Sequence, residues 1–173
     1  MLTAEQAKNI KLSKNFTLFE LIRSDQYPEA VVYPSEEIIG YLKDFCEKIL
    51  QPLRDKFGPI RINSGYRNPR LNKLVGGVSN SIHQIVDDRS DIFLGCAADI
   101  VPLRANVVKV FEALPDMLKD ETLKGLKTAI IYRKPGVTRS PFIHVDTRMN
   151  REGVAFLEKI NTRLYVNYYG SKK

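Results

Sequence analysis

Residues 142–148, FIHVDTR, restrict this chain more than any other segment. Successive side chains of a β-strand point to opposite faces. Read as a strand, the segment sends Phe142, His144, Asp146 and Arg148 one way and Ile143, Val145 and Thr147 the other. A core face is not built from an imidazole, a carboxylate and a guanidinium in a row, because each costs free energy to bury unless it finds a partner. The strand must therefore separate an apolar core from a polar site.

Residues 95–102, GCAADIVP, raise the same issue. They suit a buried strand except for Asp99, whose face is shared with Ala97 and Val101. A carboxylate in that setting has to be paired or bind a metal. If the two strands are neighbours, Asp99 and His144 converge. The chain has only two histidines, and the other, His83, ends a long polar loop ahead of both strands and would arrive at the same place. Two imidazoles and one carboxylate, with a position left open, are the donor set of a catalytic rather than a structural zinc centre. Each residue also has a plainer reading. His83 suits a loop histidine bonded to backbone, His144 a satisfied core histidine, and Asp99 a turn cap or an arginine's partner.

The rest of the chain reads as one α+β domain with a mainly antiparallel central sheet and flanking helices. Residues 1–15 look like a polar arm, and 16–173 like the domain. Thr17 and Glu20 have capping-box spacing at the head of a short apolar helix. Ser35 caps a long helix with Ile38, Leu42, Phe45 and Ile49 at helical spacing, which Pro52 should bend or end and FGP at 57–59 should stop. IRINS (60–64) alternates as a half-buried strand. GYRNPRLNKLVGGVSNSIH (65–83) reads as a structured loop with a short helix near 69–75; loops of this length are usually functional or disordered. QIVDDRSDIFL (84–94) reads as an exposed excursion. A helix at 105–118, a strand at 128–133, a helix near 151–161 and a last strand, RLYVNYY, complete the pattern.

A net charge of +7 favours anionic partners, nucleic acid and acidic polymers included. The basic residues are scattered and form no recognisable nucleic-acid motif, so no nucleic acid is expected. No run of about 18 apolar residues exists, so no membrane span is expected. Cys46 and Cys96 lie in apolar segments and read as buried thiols rather than a disulfide.

S-x-H at 81–83 followed by G-x-A-x-D at 95–99 resembles the two halves of SxHxxGxAxD. That motif marks the zinc D-Ala-D-Ala carboxypeptidase and L-alanyl-D-glutamate endopeptidase family, which cuts peptidoglycan peptides and includes phage endolysins. LSKNFTLFELIRSD resembles the N-terminal segment of the family's phage-type branch, and LQPLRDKFGPIRINSGYRNPRLNKLVGGVSNSIH resembles its central block. FIHVDTR resembles its last ligand strand. The resemblance spans about residues 11–150 and implies a fold like that of the D,D-peptidases and the Hedgehog signalling domain. It implies zinc as cofactor with His83, Asp99 and His144 as ligands, and a peptidoglycan stem peptide as partner. Arg67 matches the arginine facing the substrate's carboxylate or the developing negative charge. Ser81 matches a substrate-side position and suits a plain turn residue equally. Gly65, Gly76 and Gly77 serve backbone geometry.

Two departures matter. About nine residues, near 84–94, are inserted between the histidine and the aspartate of the motif. Many relatives also carry an acid or histidine two or three residues before the last ligand as general base; here those positions are Phe142 and Pro141, which cannot move a proton. Asp146, Asp87, Asp88 and Asp91 are the possible substitutes, and Asp146 has the plainer reading of an acid that orients His144 or pairs with Arg148. Two functions follow: a D,D-carboxypeptidase or L,D-endopeptidase of the cell wall, or a catalytically impaired zinc module that binds wall or sits in a virion. The N-terminus lacks the apolar core of a secretory signal, so the expected location is the cytoplasm of the producing bacterium or a phage particle.

Overall fold

Alternation in IRINS, AADIVP, TAIIY and FIHVD becomes the centre of a six-stranded sheet in a computed structural model that describes residues 4–86, 90, 92–132, 141–159 and 165–167. The strands are β1 (Ile60–Ser64), β2 (Ala97–Pro102), β3 (Thr128–Tyr132), β4 (Phe142–Asp146), β5 (Ala155–Lys159) and β6 (Tyr165–Asn167). Their order is β1-β2-β4-β3-β5-β6, antiparallel throughout except for the parallel β3–β5 pair. The α+β reading with a mainly antiparallel sheet holds.

One sheet face is apolar. Ala98, Ile100, Ala129, Ile131, Ile143 and Val145 join Leu42, Phe45, Ile49, Val110, Phe111, Leu114 and Met117 from the helices in one core. Each large side chain removed from water there contributes roughly 1.5–3 kcal/mol before ordering costs are counted. The helix Val107–Lys119 supplies Val110, Phe111, Leu114 and Met117 as a stripe at helical spacing, and Asn106 caps it by accepting from the Val108 and Lys109 amides. The opposite face carries Asp99, Ile130, Tyr132, Phe142 and His144, which line a cleft.

Four expectations need adjustment. Within the arm expected at 1–15, the described residues pack on the domain: α1 (Ala4–Asn9) buries Ala7, and Leu12, like the adjoining Phe16, is fully buried in the core. Pro52 does not end the long helix. After α3 (Glu36–Phe45) a widened π turn, Cys46–Leu50, relaxes the backbone just ahead of the proline, where an amide donor is lost. The helix then runs on as α4 (Gln51–Phe57) to Gly58, at φ 81°. The expected helix near 151–161 is instead strand β5, because residues 155–159 extend the sheet beside β3. The excursion at 84–94 is pinned at its base, with Ile85 buried, Val86 bridged to Phe93 and the Leu94 amide donating to the Ile85 carbonyl at 2.7 Å. Part of RLYVNYY falls outside the described residues; 165–167 form β6.

Candidate metal centre

Strand register brings the first two donors together. Asp99 on β2 is the cross-strand partner of His144 on β4, while their neighbours Ala98 and Val145 pair toward the core. The His144 Nδ1 lies 2.9 Å from Asp99 Oδ1. A bulge in β1 between Ile62 and Ser64 sets Ser64 opposite Asp99, where the Ser64 hydroxyl accepts from Arg67 Nε at 2.8 Å.

His83 arrives from the 3-10 turn Ile82–Gln84. Its carbonyl accepts from the Arg67 amide at 2.8 Å, and the Gln84 side-chain amide donates to the Ser79 carbonyl at 2.6 Å. Ile85, next in the chain, sits at φ 71°, an uncommon conformation for a β-branched residue. The His83 Nδ1 is 2.7 Å from the Gly65 carbonyl. A carbonyl only accepts, so Nδ1 carries the proton and the Nε2 lone pair faces Asp99, 3.6 Å from Oδ1. The ligand-capable atoms of His83, Asp99 and His144 all lie within 4.8 Å of one another.

Gly65 is fixed by sterics. A Cβ there would sit 2.3 Å from the Leu21 carbonyl oxygen, on the turn that hands its own carbonyl to His83. The Tyr66 amide, next along, donates to that same Leu21 carbonyl. The short helix α2 (Leu18–Ile22) thus supports, through the Leu21 carbonyl, the turn that holds the histidine.

Asp146 stands behind His144. Its carboxylate lies 3.0 Å from His144 Nε2 and accepts from the Arg148 backbone amide and from its guanidinium, at 3.0 Å from Nε. It is completely buried and does not line the cleft. That is the placement of an acid that fixes an imidazole, as carboxylates behind metal-bound histidines do. Among the described residues the main cavity, about 860 Å³, is lined by a single carboxylate, Asp99. Asp87, Asp88 and Asp91 lie outside the described residues.

Burial by itself would raise the Asp99 carboxyl, but His83 and His144, by charge and hydrogen bonding, hold it well below the usual carboxylate range. Burial pushes His83 down against the pull of Asp99. Burial would lower His144 as well, yet its bonds to Asp146 and Asp99 raise it to about 9. A carboxylate at each nitrogen thus favours the imidazolium form of His144.

Arg67 and Ser81 both line the cleft. The Arg67 Nη2 is 3.5 Å from Asp99 Oδ2, on the side away from the imidazoles. Burial lowers the guanidinium somewhat against Asp99's opposing pull. Three features were not anticipated: the Gly65 carbonyl as the partner of His83, the ring of Tyr132 stacked on Phe142 at 4.3 Å, and a second cavity of about 630 Å³ that shares Arg67, Val75, Asp99 and Phe142 with the first. SGYR carried a signal for the first; the others depend on tertiary packing.

A partly buried carboxylate and two imidazoles with their outer nitrogens already held, at the floor of an open cleft, offer the donor set of a mononuclear metal site of the hydrolytic type. The sequence model of the family Peptidase M15 matches residues 14–146, and the chain belongs to that family. No curated protein and no solved structure gives a significant match to the chain. M15 enzymes are zinc peptidases, and the nitrogen and oxygen donors of this cluster fit zinc.

Proposed function

We propose that the protein is a zinc-dependent peptidase acting on D-amino-acid-containing peptide bonds of bacterial peptidoglycan, with His83, Asp99 and His144 as the metal ligands. The observation that carries this reading is the convergence of those three side chains at the floor of the cleft. When bound, zinc supplies Lewis acidity that makes water nucleophilic near neutral pH and polarises a carbonyl. Arg67, tethered through Nε to Ser64, presents its guanidinium to the cleft and stabilises negative charge on the substrate. Asp146 is a positioning residue that holds His144 with Nδ1 toward the site. Ser81 lines the wall that the stem peptide contacts. In this reading one aspartate of the insert, Asp87, Asp88 or Asp91, moves the proton, since Phe142 and Pro141 occupy the positions where many relatives have an acid or a histidine.

The likeness of LSKNFTLFELIRSD to phage-type sequences supports a role as a lysis enzyme or a component of the virion. No helix among the described residues is long and apolar enough to cross a membrane. The test is digestion of purified peptidoglycan by the zinc-loaded protein. New amines should appear, and His144→Ala should abolish both zinc binding and amine release; full activity in a zinc-free preparation would refute the reading. A second reading, a zinc-containing wall-binding module without turnover, is favoured by Asp99 being the one carboxylate lining the cleft among the described residues. Stoichiometric zinc with wall binding and no amine release would select it.

A further inference from the structure

Tyr132 stands at the centre of a row of side chains that crosses three strands. It pairs with Phe142 on β4 and with Lys159 on β5. The rings of Tyr132 and Phe142 stack with centroids 4.3 Å apart and planes 11° apart. From the opposite strand, the Lys159 ammonium sits 5.2 Å from the centroid of the Tyr132 ring. Stacking on one neighbour and a cation over the ring from the other hold the phenol in one orientation. The next row on the same sheet face carries two members of the metal cluster. Ile130, two residues before Tyr132, pairs with His144, which pairs in turn with Asp99. Tyr132 is therefore the diagonal neighbour of His144, a separation of roughly 7–8 Å that an aromatic side chain spans. Both residues line the first cavity. Arg67 reaches the cluster from the β1 side of the sheet and Tyr132 from the β3 side, and the two are close enough for Tyr132 to influence the charge of the guanidinium.

We propose that the Tyr132 hydroxyl donates a hydrogen bond to the carbonyl oxygen of the bond that is cut. The proposal rests on the peptidase reading of the adjoining cluster. As the carbonyl carbon is attacked and becomes tetrahedral, its oxygen gains negative charge. A donor already fixed in place stabilises that charge without reorienting. A hydrogen bond to a charged oxygen is stronger than one to a neutral carbonyl, so the contact lowers the barrier rather than only binding the substrate. The hydroxyl keeps its proton throughout, and proton transfer is left to another group. Arg67 supplies charge to the same oxygen, and Tyr132 adds a directional donor from the other side. Phe142, where many relatives carry an acid or a histidine, then has a task of its own: its ring aligns the phenol.

The test compares wild type with Tyr132→Phe, both zinc-loaded; the substitution removes the hydroxyl and keeps the stacked ring. Zinc content, circular dichroism, steady-state rates on a stem-type peptide and affinity for a phosphinate analogue of that peptide are measured. The phosphinate has an anionic tetrahedral centre where the peptide has a planar carbonyl, so it reports contacts made in the transition state. With zinc and fold intact, kcat should fall by roughly 10–100-fold while KM stays within about twofold, the scale of a hydrogen bond to a charged group. Phosphinate affinity should fall by a similar factor. A kcat within about twofold of wild type, an unchanged phosphinate affinity, or loss of zinc or of fold in the variant would overturn the assignment. If wild type cuts no peptide although zinc is bound, the peptidase reading fails, and the phosphinate affinities alone decide Tyr132, equal values counting against it.

Discussion

Replacing Asp146 with Asn tests how the metal centre is held. The side chain touches no substrate-facing surface; it is fully buried, 3.0 Å from His144 Nε2 and bonded to the Arg148 guanidinium. Asn keeps the volume and one acceptor but removes the charge that raises the basicity of the imidazole and matches Arg148. Losing such a partner behind a metal-bound histidine weakens metal affinity by about 10–100-fold, or about 1.4–2.7 kcal/mol. Competition for zinc against a chromophoric chelator measures this directly, with circular dichroism showing whether the fold persists. A folded Asp146→Asn protein that holds zinc within about twofold of wild type would refute the claim that Asp146 positions His144.

Three further outcomes follow from the packing. Gly65→Ala drives a methyl to 2.3 Å from the Leu21 carbonyl; it should destabilise the fold by about 1–3 kcal/mol in denaturant melts and weaken zinc binding with it, because the same turn supplies the His83 partner. Phe111→Ala should cost about 3–5 kcal/mol, since the ring is completely buried against the sheet. Cys96 should resist thiol reagents in the native protein and react once it is unfolded, because burial pushes its thiol up to about 12. A raised folded value means the neutral thiol is favoured. Its contribution to stability is full below the ordinary value near 9.0 and is lost as pH rises from there through about 12. Cys96→Ala should flatten that alkaline decline in unfolding free energy.

The polar face of β4 was legible because strand parity is rigid: once FIHVD is a strand, His144 and Asp146 share a face. Asp99 was legible because its apolar neighbours made the carboxylate anomalous, and the register of β2 against β4 then set it opposite His144. His83 was placed by resemblance more than by physics, since a loop residue has no periodicity to constrain it. Its support, a Gly65 carbonyl beneath α2, joins segments far apart in sequence and has no local signature. The expectation for 151–161 failed because a short run such as VAFLEK fits helix and strand alike; the open edge of β3, which pairs with Ala155–Lys159, decided it. The π turn before Pro52 was hidden for a related reason, in that core packing on both sides keeps the helix running where local propensity would stop it. Ala7 and Leu12 were too few among polar neighbours to announce that the first residues belong to the core.

The most direct measurement is the zinc content of the purified protein, by elemental analysis together with X-ray absorption at the zinc edge, in wild type and in His83→Ala, Asp99→Ala and His144→Ala. Stoichiometric zinc with two imidazoles in its coordination shell, lost or sharply reduced in each single variant, is the expected result. Zinc that stays bound at wild-type affinity after any one of these side chains is removed would contradict a centre built from all three.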